Sequence, residues 1–101
     1  METFVIRRRN AWKNAQELET TAALSLKVGN DEMSDSIRWI RSYVVEEADG
    51  TLGTVCIYQA KNQQAIREHA RRVKMPADEI THIAKAVVIR EDPLEKKTKA
   101  A

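Results

Sequence analysis

An α+β sandwich is the fold class that this 101-residue sequence predicts, and three observations predict it. Two asparagine-capped amphipathic stretches alternate with β-branched runs. An Asp-Gly turn signal separates the two middle runs. Read along the chain, the elements fall in the order β-α-β-β-α-β, which places two helices on one face of a four-stranded antiparallel sheet.

Thr3 to Arg9 alternates as a strand, with Phe4, Ile6 and Arg8 on one side and Val5 on the other. Asn14, followed three positions later by Glu17, can satisfy the free N–H groups of a helix start. Leu18, Ala22 and Leu26 then recur along one face, so a helix is expected from about Ala15 towards Gly29, where glycine ends it. Ile37 to Glu47 is β-branched and aromatic and reads as a second strand. Asp49 and Gly50 supply turn chemistry, and Leu52 to Ala60 follows as a third strand, forming a hairpin.

Asn62 caps a second helix, Gln63 to Val73, which the Met75-Pro76-Ala77-Asp78 turn ends. Asp78 is expected to cap a local backbone turn. Ile80 to Arg90 is expected to be a long last strand. The order is the ferredoxin-like arrangement, one domain over residues 1–92 with a charged, mobile tail at 93–101.

A net charge of +2, from 17 Lys+Arg against 15 Asp+Glu, is far from the basic balance that phosphate backbones demand, so a nucleic-acid role is disfavoured. The basic clusters Arg7–Arg9 and Arg67, Arg71, Arg72 and Lys74 carry no interleaved aromatics and read as a solvated strand end and a solvated helix face. One cysteine, Cys56, cannot form an internal disulfide, which fits a reducing cytoplasm. No stretch approaches membrane-spanning length, so no membrane partner is expected.

Two helices cover only one face of a sheet. Uninterrupted alternation puts Ile37, Trp39, Arg41, Tyr43 and Val45 on one face of the second strand, and Ile40, Ser42 and Val44 on the other. Both faces are therefore apolar, and an uncovered face bearing Trp39, Tyr43 and Tyr58 exceeds the apolar patch that a monomer exposes. The expectation is a homodimer joined through the open face. Its intersheet cavity would take a small ligand against Trp39, Arg41, Tyr43 and Tyr58. Arg41, a charge among aromatics, must meet an anion, and Glu46 or Glu47 of a second subunit is the expected partner.

The strong metal donors are His69, His82 and Cys56, with no His-x-x-x-His or Cys-x-x-Cys spacing. A metal site would therefore be assembled across the fold or across two subunits. His69 borders the stripe Ile66, Ala70, Val73, and its ring meets either a backbone carbonyl or a metal at the helix edge. His82 is expected near a strand start, where one register step decides its face. Cys56 reads as a small buried hydrophobe.

The runs "IRWIRSYVVEE", "VCIYQAKNQQAIREHARR" and "MPADEI" resemble a family of small bacterial proteins long known only as a domain of unknown function, whose described member is a nickel-binding, nickel-responsive actinomycete protein. The resemblance implies a ferredoxin-like fold, a dimer and binding of a divalent metal, nickel in the described case. Val73-Lys74-Met75 stands where the family often has a glycine and an aromatic. The expected function is a dimeric, non-enzymatic binding protein for a divalent metal or small ligand. The alternative is a dimeric α+β barrel enzyme in which His69 or His82 moves a proton.

Overall fold

The computed structural model describes residues 1–93. Its elements are β1 (Glu2–Trp12), α1 (Ala15–Asp31), β2 (Ile37–Glu46), β3 (Leu52–Ala60), α2 (Gln63–Val73) and β4 (Glu79–His82). They form one antiparallel sheet in the order β2-β3-β1-β4, the ferredoxin-like topology that the element order predicts. No helix among the described residues is long and apolar enough to cross a membrane.

Both predicted helix caps are in place. Asn14 accepts from the Glu17 N–H at 2.9 Å, and Asn62 accepts from the Ala65 N–H at 2.9 Å. Phe4, Ile6, Val28, Ile37, Ala60, Ile66 and Val73 form the core between the sheet and the helices. In the β2–β3 turn, Gly50 takes φ 88°, a left-handed value that side chains resist.

Four sequence expectations are corrected. The first helix does not end at Gly29 but runs on to Asp31, because Glu32 and Met33 both donate to the Val28 carbonyl and close the end two residues later. The last strand is not long and stops at His82. Phe4 faces His82 in its register, so two residues beyond, at Ala84, the pairing reaches Glu2, where β1 begins.

The third correction concerns the segment after β4. The chain runs on without regular structure across to β2, where Asp92 meets Arg41 and Tyr43. Val87, Val88 and Ile89 stay exposed along the way. The tail expected at 93–101 lies, apart from Pro93, outside the described residues.

The fourth correction is a face. Trp39 pairs with Tyr58 and Arg41 with Ile57, so Ile40 is an extra residue that opposes nothing. Such a bulge turns the strand over. Upstream of it Ile37 and Trp39 point to the helices; downstream Ser42 and Val44 do, while Arg41, Tyr43 and Val45 turn to the open face. Arg41 and Tyr43 thus do not share a face with Trp39 and Tyr58.

Candidate functional site

The apolar stripe of α1 is only partly used in packing. Of its residues only Ser25 and Val28 are buried, while Leu18, Ala22 and Leu26 line a cavity of about 480 Å³ between α1 and the inner faces of β1, β2 and β3. Trp12, Trp39 and Met75 complete its apolar walls. That volume lies in the ordinary range for small-molecule sites.

Its floor is a chain of hydrogen bonds. Trp39 Nε1 donates to Ser42 Oγ at 2.8 Å, Ser42 Oγ to Cys56 Sγ at 2.9 Å, and Cys56 Sγ to Thr54 Oγ1 at 3.2 Å. Trp39 also lies parallel to Tyr58, ring centroids 6.2 Å apart. Tyr58 is 2% exposed, its hydroxyl is 3.4 Å from Ser25 Oγ, and burial holds its pKa above the ordinary phenol value. These groups satisfy one another and fix the rotamers of the floor.

Arg8 is the exception. Only 1% exposed, it lines the same cavity, and its guanidinium lies 5.7 Å from the Tyr58 ring centroid. Nε donates to the Pro76 carbonyl at 2.8 Å, while Nη2 is buried without a partner. Reading Arg7–Arg9 as a solvated strand end missed this residue. The signal was present in the alternation, which sets Arg8 in line with Phe4 and Ile6. Its neighbours do reach carboxylates: Arg7 Nη2 binds both oxygens of Glu47 at 3.0 Å, and Arg9 Nε meets Glu79 at 2.7 Å.

Of the ligand candidates, Trp39 and Tyr58 line the cavity by their inward faces; Arg41 borders it too but spends its guanidinium on Asp92, and Tyr43, which does not line it, meets the same carboxylate on the open face. The expected Arg41 partner, Glu46 or Glu47 of another subunit, is replaced by Asp92 of the same chain at 2.9 Å. The hydrogen bond from Tyr43 holds the Asp92 carboxyl below its usual pKa and raises that of the Tyr43 hydroxyl.

The three metal candidates stand apart. Cys56 is a buried free thiol in the cavity floor. His69 is 1% exposed, with Nε2 at 3.0 Å from the Ser25 carbonyl, so Nε2 carries the proton and donates; burial lowers its pKa. His82, half-exposed on the β4 edge, packs edge-on to Phe4 and lies 3.5 Å from Glu2 Oε1. No group of three His, Cys, Asp or Glu among the described residues could hold a metal ion, so the described donors do not by themselves make a complete nickel site. Neither histidine lines the cavity, so the proton-shuttle enzyme finds no support in this geometry.

The basic face of α2 is solvated, as read. Arg71 and Arg72 both bind Glu68, which pulls its pKa down to about 2.

Comparison with known proteins agrees with the fold. No curated protein gives a significant match. The crystal structure of SCO4226 from Streptomyces coelicolor A3(2) superposes with a TM-score of 0.68 at 19% identity, covering 84% of this chain and 99% of that one. The family model described as nickel responsive protein SCO4226-like matches residues 4–83. Four-fifths of the chain therefore carries that family's pattern, and the protein belongs to the SCO4226-like, nickel-responsive family.

Proposed function

We propose that this chain is a small non-catalytic binding protein, working in the cytoplasm as a homodimer, whose ligand occupies the cavity between α1 and the sheet. The cavity itself carries the proposal: apolar walls from Leu18, Ala22, Trp12 and Trp39 stand over a hydrogen-bonded floor, leaving a solvent-open cleft that the core does not fill. The dimer is supported by the half-buried apolar side chains Val5, Val45, Val55 and Ile57 on the open face, and by Val87, Val88 and Ile89, which stay exposed in the segment after β4. Sedimentation tests that point; a clean monomer mass would refute it.

The cavity is tested with the neutral dye Nile red. Saturable binding of one dye per chain, abolished by Ala22→Trp, is expected. Unsaturable binding, or binding unchanged by Ala22→Trp, would overturn the reading.

A second reading, nickel binding, is favoured by the family and by one observation. His82 and Glu2 form an exposed imidazole–carboxylate pair at the β4 edge. Two such pairs, one from each copy, would give the nitrogen and oxygen donors that Ni²⁺ accepts. Equilibrium dialysis with nickel is then expected to show binding lost in His82→Ala and kept in His69→Ala. No uptake at micromolar nickel would remove this reading.

A further inference from the structure

We infer that the cavity takes a small apolar monocarboxylate, with Arg8 as the anchor for its charge; this rests on the reading of the cavity as the ligand site. Arg8 has no route to neutrality. A guanidinium does not give up its proton in a protein, so burial leaves it charged. A buried charge without a counter-charge is costly, and proteins pair it.

Arg8 is 1% exposed and makes no salt bridge among the described residues, although Arg7 and Arg9 on either side of it each hold a carboxylate. The one carboxylate in the cavity lining, Glu19, sits exposed on α1. Arg8 spends Nε on the Pro76 carbonyl and keeps Nη2 unpaired.

The other polar groups of the floor are committed to one another: Trp39 to Ser42, Ser42 to Cys56, Cys56 to Thr54. The free hydrogen-bonding capacity of the site therefore gathers at one cation. Carboxylate geometry suits a guanidinium donor, and the bond is charge-assisted on both sides. Arg41, which also borders the cavity, is already paired with Asp92, so Arg8 is the cation left to balance a single negative charge, and the walls of Leu18, Ala22, Trp12 and Trp39 ask that the rest of the molecule be apolar. Tyr58 under the guanidinium fixes the direction in which the charge is presented.

The test titrates the full-length protein with octanoate and with octanol, which share a chain and differ in charge, followed by the fluorescence of Trp12 and Trp39. The native protein is expected to bind octanoate at least about tenfold more tightly than octanol. Arg8→Met should abolish that preference while leaving octanol binding in place, and Arg8→Lys should retain part of it. If Arg8→Met does not fold, the native comparison and Arg8→Lys decide. Octanoate bound no better than octanol, with Nile red still bound, overturns the anion inference alone. Failure of Nile red and of both ligands removes the cavity reading beneath it.

Discussion

His69 on α2 donates its Nε2–H to the main-chain carbonyl of Ser25 on α1 at 3.0 Å, a side-chain bond that ties the two helices together inside the core. Its Nδ1 is buried with no partner, so a second proton would place a charge where nothing accepts it. Burial accordingly holds the folded-state pKa below the ordinary histidine value. A group depressed on folding stabilises the native state above its unfolded pKa and loses that stability as pH falls. Urea unfolding is therefore expected to show stability dropping as pH goes below about 6.5. The drop should be smaller in His69→Gln; an equal drop in both would contradict the assignment.

Gly53 is a close-approach position. A Cβ there would run into the carbonyl oxygen of Arg8 and the carboxylate of Glu47, and would come within 2.8 Å of Arg7 Nη1. A backbone oxygen cannot step aside as a side chain can. Gly53→Ala is expected to destabilise the fold by about 1 to 3 kcal/mol in chemical denaturation.

Gly29 is the opposite case. It lies inside α1, and an added Cβ would meet only His69 Nε2 at 3.7 Å, an ordinary contact. Gly29→Ala is expected to stabilise by roughly 0.5 to 1 kcal/mol, read as a higher urea midpoint.

Lys74 closes α2 in the left-handed region at φ 64°, and the following Met75 N–H returns to the Ala70 carbonyl at 3.0 Å. Glycine takes this conformation without steric cost. Lys74→Gly is expected to gain about 1 kcal/mol. An unchanged midpoint would count against this account of the cap.

Arg8→Met should leave the ligand-free protein at least as stable as the native one, with a gain of about 1 kcal/mol expected, because removing an unpaired buried charge offsets the lost bond to the Pro76 carbonyl. Stability given up at a position that a ligand needs is a usual mark of a binding site. A clear loss of stability would mean that Arg8 serves the fold instead.

Sequence pattern was a good guide where the cause was local. Asn14 and Asn62 cap because their side chains reach N–H groups three residues on, and Asp49-Gly50 turns because glycine tolerates positive φ. It failed where the cause was a partner strand. The valine-rich run after His82 has strand character but no β1 backbone left to pair with. Ile40 gives no sign in composition that β3 will skip it, yet that one residue separates Trp39 from Arg41 and Tyr43 and moves the candidate site from the open face to the inner one. Arg8 was legible by alternation and hidden by its charged neighbours.

The most direct measurement of ligand binding under α1 is a backbone-amide and indole NMR titration of the full chain with octanoate. Saturable shifts gathered at Arg8, Trp12, Ser25, Trp39 and Tyr58, around the cavity, are the predicted result. Shifts gathered instead at Tyr43, Val55 and Ile57 on the open face, or no shifts at all, would contradict it.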